Sequence, residues 1–560
     1  MAKTKGQNYM HGAAILTIGV IIMKILGFFY KIPLGNILGD EGYSMFMGAY
    51  SIYYIFFTLA TAGLPVALSR LVAEADANGR AKQEEKTFRV ALATFTVIGL
   101  IFALIMFCFP QWLAAEYLEN PDAAPSVRAM APAILLVCIV SAYRGYCQGN
   151  GNMLPTTVDE VLEVFFKVVS GLVIAELVLH SFRPGDPMSL PMGSAGAIFG
   201  VSIGSAVSLA YMIIYKHRHY SVLSAPYTGG IDPKDIPGDD DLVDPALKIV
   251  KDILTIGIPI ATGACIMALL NSVDSKLCMN RLQSAAGFSY REAKVLYGVY
   301  GKAQTLYNLP SYFITPLTLS VVPAIATALT HRRRDEAGEI AESSLRIAAL
   351  VTMPMGVGLF VLAGPIFRTI YWGSNPVGPA LLRMLGIAAF FVCMSMMCNA
   401  ILQAAGKERL PIISILIGGA VKIGVNWVLV GDPRVNITGA PIGSICCFAA
   451  MCAADYVFLC RTLSRRPRLS RVLGAPMLSC AVMGLSAWTA YALLERVLRH
   501  GGAPLDRMPM AAAMLIAIAA AVAVYAVMIS VTGALTREDM ALIPHGEKIG
   551  DLLRLKSAKK

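Results

Sequence analysis

The stretch Met10-His-Gly-Ala-Ala-Ile-Leu-Thr-Ile-Gly-Val-Ile-Ile-Met-Lys24-Ile-Leu-Gly-Phe-Phe-Tyr30 holds one full charge, Lys24, in 21 residues. About 20 apolar residues are enough to carry a helix across a bilayer. The run therefore reads as a membrane span. It contains a lysine and is not followed by a small-residue cleavage site, so it does not read as a cleavable signal peptide. Thirteen further runs of this kind follow, near 44–67, 90–109, 129–148, 157–179, 195–215, 253–273, 297–328, 347–367, 380–403, 411–430, 439–460, 473–494 and 509–531. The eighth is long enough to contain a kink. Composition agrees. The 560 residues are 56% hydrophobic and 15% charged, with mean hydropathy +0.63. A soluble chain carries about 25% charged residues, so a soluble enzyme is excluded. The longest polar stretch, Tyr215 to Lys251, is too short for a further domain.

Charge sets an expected orientation. With the N-terminus in the cytoplasm, 29 of the 47 Lys and Arg residues fall on cytoplasmic segments and 12 on outer ones. The other six lie within spans. That bias places both termini inside. His331-Arg-Arg-Arg334 and the five arginines from Arg461 to Arg471 are the sharpest cytoplasmic signals. The net charge of +11 is thus spread over short loops, which argues against nucleic acid as a partner. The twelve cysteines show no CxxC spacing and read as small buried hydrophobes.

The chain repeats itself. Ile15-Leu-Thr-Ile-Gly19 returns as Ile253-Leu-Thr-Ile-Gly257, and Gln148, Gly151 and Lys167 return as Gln403, Gly406 and Lys422, each 255 residues later. Spans 1–6 and 7–12 are therefore expected to be two copies of a six-helix unit. An even number of spans per copy makes the copies parallel, and such halves suit alternating access around a central cavity. The expected fold is all-α: a polytopic membrane protein with 14 transmembrane helices, two parallel six-helix halves around a central cavity and two extra C-terminal helices. The expected divisions are an N-terminal lobe over 1–220, a cytoplasmic linker over 221–252, a C-terminal lobe over 253–460, spans 13 and 14 within 461–531, and a cytoplasmic tail over 532–560.

Charges inside a membrane cost about 2.5–3.5 kcal/mol each on insertion scales, and those retained tend to face a cavity. Lys24 is deep in span 1, and Lys31 follows at its outer end. Arg70 ends span 2 and Arg144 lies late in span 4. Span 5 carries Glu160, Glu163 and Lys167. Asp274 closes span 7, Lys302 lies in span 8, Arg383 in span 10 and Lys422 in span 11. Glu163 and Lys167, four apart, either pair with each other or serve a substrate. Arg70 and Arg144 either snorkel to headgroups or do the same. The cations collect in the first half, which implies an anionic substrate, since phosphates pair strongly with Lys and Arg. Gly196, Gly200 and Gly204 in span 6 read as a helix-packing stripe. Pro65 and Pro323 are candidate hinges. No phosphate loop, HExxH, nucleophile elbow or metal-spaced histidine cluster occurs. The chain is therefore expected to be a transporter rather than an enzyme, without cofactor or metal, driven by an ion gradient, the membrane potential or downstream use of the product.

Certain segments resemble a known family. They are Lys24-Ile-Leu-Gly-Phe28, Gly63-Leu-Pro-Val-Ala-Leu-Ser-Arg70, Tyr143-Arg-Gly-Tyr-Cys-Gln-Gly149, Pro155 through Lys167, and the tail Leu535-Thr-Arg-Glu-Asp539 with Ile543-Pro544. In this order, on fourteen spans, they are similar to the oligosaccharide flippase branch of the multidrug/oligosaccharidyl-lipid/polysaccharide (MOP) exporter superfamily, with its lipid II flippases and stage V sporulation B group. The resemblance covers essentially the whole chain. It implies a flippase that moves an undecaprenyl-diphosphate-linked saccharide across the cytoplasmic membrane, with lipid II for peptidoglycan synthesis first among substrates and cell-wall synthesis proteins as partners beside membrane lipids. It implies a cationic cavity in the N-terminal lobe, with Lys24 matching the first cavity cation. The second falls at Tyr30, beside Lys31. A span-8 arginine of the family falls at Thr305, with Lys302 one turn earlier. The alternatives are a flippase for another polysaccharide unit, a cation-coupled drug antiporter, and a scaffold for envelope or spore assembly. The absence of a carboxylate in span 1 argues against the antiporter, and the burden of a lone Lys24 against the scaffold. Two polar features stand apart. Asp239-Asp-Asp241 reads as a solvated loop, and Glu538 to Lys560 as an amphipathic surface helix or a disordered tail.

Overall fold

The computed structural model describes residues 2–183, 185–220, 243–499 and 506–533, with side chains from Gly19 onward. The Asp239–Asp241 stretch and the tail motif from Leu535 lie outside them. Among the described residues every regular element is a helix. In chain order these are α1 (Ala2–Ile37), α2 (Gly39–Ala62), α3 (Leu64–Ala77), α4 (Ala81–Cys108), α5 (Pro110–Trp112), α6 (Ala124–Gly149), α7 (Leu154–Ser181), α8 (Ser189–Tyr220) and α9 (Ala246–Ser284). They continue with α10 (Tyr290–Tyr307), α11 (Leu309–Thr330), α12 (Arg334–Val361), α13 (Ala363–Ile370), α14 (Gly378–Ala404), α15 (Arg409–Leu429), α16 (Gly439–Thr462), α17 (Leu469–Leu498) and α18 (Arg507–Thr532).

Thirteen spans among the described residues are long and apolar enough to cross a membrane, with α2 and α3 forming one of them. The fourteenth helix of spanning length is α7, 28 residues or about 42 Å long. It falls short on composition because Asp159, Glu160, Glu163, Lys167 and Glu176 are all on it. The protein is thus an all-α, multi-pass membrane protein. Large apolar side chains stay exposed on its outer helices, such as Leu177, Leu515 and Trp488, as lipid contact requires.

Two spans are broken, and the residues explain where. The second breaks at Gly63, with Pro65 in the first turn of α3. Proline is tolerated there because the missing N–H would have no helical partner anyway. The eighth, expected as one helix over 297–328, is two. α10 ends at Tyr307 and α11 begins at Leu309 with Pro310 in its first turn. The break therefore lies at Asn308, while Pro323 stays inside a continuous α11. α10 starts with a capping box, in which Ser289 and Glu292 satisfy each other's backbone groups. These hydrogen bonds from the Ser289 hydroxyl and N–H hold the Glu292 carboxyl below its usual range. The ninth span starts earlier than expected, at Arg334, and stops at Val361, with the short α13 after it.

By packing, the chain divides into two compact units, Met1–Met279 and Asn280–Lys560. In the first, α8 lies along α7 on small residues. A Cβ on Gly200 would stand 2.5 Å from Cα of Gly171, and one on Gly204 would overlap the Glu163 carbonyl oxygen. The expected packing stripe of span 6 is therefore real. Gly145 and Gly149 do the same for α6 against α3, where added Cβ atoms would meet the carbonyl oxygens of Pro65 and Ser69 at 2.8 Å. An aromatic core of Tyr43, Phe46 and Tyr53 fills the space between α2 and its neighbours. In the second unit, α11, α12, α14, α16 and α17 share a core around Leu345, Met397 and Leu402.

Candidate functional site

α6 and α7 are joined by a tight turn through Asn150 and Gly151, and Asn152 Oδ1 accepts from the Leu154 N–H at 3.3 Å just ahead of α7. The glycines of α6 face α3, which leaves Arg144 turned to α7. Arg144 is 7% exposed. Nε donates to Oδ2 of Asp159 at 2.9 Å and Nη2 to Oε2 of Glu163 at 2.8 Å. Nη1 stands 3.7 Å from Oε1 of Glu160. α8 completes the cluster. Ser208 donates to Oδ2 of Asp159 at 2.9 Å, and Ser205 to Oε1 of Glu163 at 3.0 Å. One guanidinium thus ties three carboxylates on two turns of one helix. Asp159 is fully buried, and its Oδ1 has no hydrogen-bond partner among the described residues.

The cluster forms one wall of a cavity of about 220 Å³ within the first unit. Arg144, Glu160, Glu163 and Lys167 line it on one side; Tyr50, Tyr53, Tyr54 and Phe57 of α2 line it on the other. Small-molecule pockets run to about 300–1,000 Å³, so this one admits part of a large head group.

The cations differ in status. The expected Glu163–Lys167 pair does not form. Glu163 is engaged by Arg144 and Ser205, so Lys167 reaches the cavity with no hydrogen bond or ion pair among the described residues. Lys31 is half-buried, with Nζ 5.9 Å from the Tyr50 ring centroid. It lies within electrostatic reach of both Lys167 and Lys24. Lys24 itself is exposed on α1, and its neighbour Met23 takes the position in the cavity wall. Arg144 does not snorkel to a helix end, because its charge is consumed by acids. Arg70 is exposed on α3 and does not line the cavity. Asp274 is buried on α9 of the same unit. Lys302 belongs to the second unit, where it is buried with Nζ 5.4 Å from the Tyr371 ring centroid. Three of the sequence-derived cations, Lys31, Arg144 and Lys167, thus gather at one place with Glu160 and Glu163.

Sequence reasoning passed over the two fully buried acids. Asp159 was hidden beside Glu160. Asp455 of α16, fully buried, accepts from Ser395 of α14 and Ser414 of α15. Asn399 of α14, with its amide turned to satisfy its neighbours, donates to both Asp455 oxygens at 3.2 and 3.0 Å. The repeat was the signal for both. Asn399 and Ser414 stand 255 residues after Arg144 and Asp159, the offset that relates Lys167 to Lys422. Each six-span copy thus staples its fourth, fifth and sixth spans with a buried carboxylate, but only the first sets an arginine against its carboxylates. No group of three or more His, Cys, Asp or Glu residues among the described residues has the arrangement of a metal site.

Comparison with known proteins agrees with the geometry. The polysaccharide biosynthesis protein family model matches residues 9–329, and a MatE model matches 296–428. Stage V sporulation protein B of Bacillus subtilis (strain 168) is 26% identical over 78% of this chain and 81% of its own. Lipid II flippase MurJ of the same organism is 25% identical over 75% and 77%. Among solved structures, a lipid II flippase MurJ in an inward closed conformation superposes with a TM-score of 0.63 at 14% identity, covering 92% of this chain and 98% of that one. An inward-facing multidrug resistance MATE family transporter of the MOP superfamily gives 0.60 at 15% identity, covering 80% and 98%. The chain is a member of the polysaccharide biosynthesis protein family and has the MOP fold.

Proposed function

We propose that the chain is a flippase that moves an undecaprenyl-diphosphate-linked saccharide across the cytoplasmic membrane, with lipid II as the first substrate to examine. The observation that carries this reading is the charge state of the first unit's cavity. Its three acids gather on Arg144, while Lys167 lines the cavity with no hydrogen bond or ion pair among the described residues, within electrostatic reach of Lys31. Unpaired cations in a poorly hydrated site favour a phosphate-bearing ligand. Stage V sporulation protein B and lipid II flippase MurJ, both similar over most of the chain, support the same class. In this mechanism the diphosphate docks on Lys31 and Lys167, with Lys24 guiding it in. The polyprenyl tail stays in lipid, and only the head group crosses. The two six-helix copies exchange access to the site, with both chain ends in the cytoplasm and an ion gradient or the membrane potential as the energy source. Lys302, Arg70 and Asp274 belong to the entry or exit route in this scheme, and cell-wall synthesis proteins are the expected partners.

A second reading has one observation in its favour. Glu160, Glu163 and Asp159 outnumber Arg144, and two of them face the cavity. A cation-coupled exporter would use such acids. The two readings separate in cells depleted of their own lipid II flippase and supplied with this chain. Surface-exposed lipid II restored by the native chain and lost in the Lys167→Ala variant is the expected result. No translocation by a well-expressed native chain reassigns the saccharide. Export of an organic cation that depends on Glu160, without lipid translocation, replaces the flippase reading.

A further inference from the structure

The α2 wall of the cavity plays no part in the phosphate chemistry. Tyr50, Tyr53, Tyr54 and Phe57 follow the i, i+3, i+4, i+7 spacing that places side chains on one helix face. Their rings contact in sequence, with Tyr50–Tyr53, Tyr53–Phe57 and Tyr54–Phe57 centroids 5.8, 5.5 and 6.3 Å apart. Tyr53 is 2% exposed and belongs to the core. Tyr50 is covered on one side by Phe46, stacked at 5.6 Å, with Lys31 on a ring face at 5.9 Å. Tyr54 is different. It lines the cavity, lies outside the core cluster and is 42% exposed. Neither the Tyr50 nor the Tyr53 hydroxyl makes a hydrogen bond among the described residues. The cavity thus offers an open aromatic face, two phenols and the Lys167 ammonium within one small volume, with Lys31 behind the Tyr50 ring.

A purely apolar ligand does not match that set, because burying it here would strip water from Lys167 and Glu160 without replacement partners. A pyranose does match. Its C–H face carries partial positive charge that meets the negative face of an aromatic ring, and its hydroxyls pair with phenols and carboxylates. In a glycosyl diphosphate the sugar is bonded directly to the phosphate, so both subsites must be adjacent, as they are here. We propose that the Tyr54 face is the saccharide subsite of this cavity, stacking the sugar next to the diphosphate while the Tyr50 and Tyr53 hydroxyls bind its hydroxyl groups. This assignment rests on the saccharide-lipid reading above.

The test is equilibrium binding to the full chain in nanodiscs with two probes: undecaprenyl diphosphate, and the same lipid bearing one saccharide. The native chain should bind the saccharide lipid more tightly. Tyr54→Ala should weaken only that probe, by about three- to tenfold, and leave undecaprenyl diphosphate within about twofold. Tyr54→Phe, which keeps the ring, should retain both affinities. Tyr54→Leu, which keeps bulk without a ring, should match Tyr54→Ala and serves if the alanine variant does not fold. Equal weakening of both probes, no weakening of either, or Tyr54→Phe as weak as Tyr54→Ala would each overturn the subsite. A native chain that binds both probes equally also overturns it, yet leaves the cationic site intact. A native chain that binds neither probe instead removes the saccharide-lipid reading itself.

Discussion

Arg144 and Lys167 show how two membrane-embedded cations can have opposite roles. Arg144 is surrounded by Asp159, Glu160 and Glu163 and is 7% exposed. Removing one partner of a buried ion pair leaves an uncompensated charge and costs roughly 3–5 kcal/mol. Arg144→Ala is therefore expected to lower the melting temperature in detergent steeply, and Arg144→Lys to recover only part of the loss, because a lysine has no fork to reach three carboxylates. Lys167→Ala removes a charge that nothing in the described chain pairs with. It is expected to leave the melting temperature nearly unchanged while transport falls by an order of magnitude or more. A thermal-shift series on the three variants decides it. Similar destabilisation in Arg144→Ala and Lys167→Ala would show that the division of labour is wrong. The sequence offered both residues as candidates but could not separate them. Glu163 stands four residues before Lys167, so local spacing favoured that pair. The stronger partner came from another helix, with Ser205 on a third, and contacts of that kind have no local signature.

At the scale of elements, the glycines decide how closely helices approach. Gly200 meets the backbone of Gly171, so α7 and α8 touch along their length. That contact carries Ser205 and Ser208 to the carboxylates of α7. Gly200→Val must push the helices apart, since the obstructing atoms are backbone. Overpacking of this kind costs about 1–3 kcal/mol, and the displaced serines should lower transport as well. Gly27→Val is the control, because a Cβ there meets nothing within 4 Å. Melting temperatures of the two variants test the point, and equal effects would contradict it. The stripe at Gly196, Gly200 and Gly204 was legible from spacing alone. The break at Asn308 was not placed, because three prolines in the eighth span compete as bend sites. Only Pro310, in a first turn, coincides with a helix end; Pro316 and Pro323 are absorbed inside α11. The charged α7 was found as a span from its apolar runs, Val164 to Phe166 and Leu172 to Ala175, despite five charges.

At the scale of the whole molecule, span count and repeat came from composition and offset. The repeat carried more than expected, since the offset of 255 also relates Arg144 to Asn399 and Asp159 to Ser414. One copy kept charges at that register and the other kept neutral donors around Asp455. Such divergence is what two copies with different tasks would accumulate. Its first-unit member coincides with the cavity. The cavity itself was legible only as an excess of cations; its aromatic wall had no signal of its own, because i, i+3, i+4 aromatics pack cores as readily as they line sites. The charge bias makes a prediction at this scale. Alkaline phosphatase fused after Arg471 should be inactive and fused after Arg183 active, since the charge bias places only the second outside. The reverse pattern would invert the topology and the direction of transport.

The measurement closest to the central claim is translocation of a fluorescent undecaprenyl-diphosphate-linked saccharide in liposomes that contain only this chain. The native chain should move the lipid between leaflets well above the empty-liposome rate, and the Lys31→Ala, Lys167→Ala double variant, folded to the same melting temperature, should fall to that background. A double variant that translocates at the native rate would contradict the cationic cavity as the site of head-group transfer.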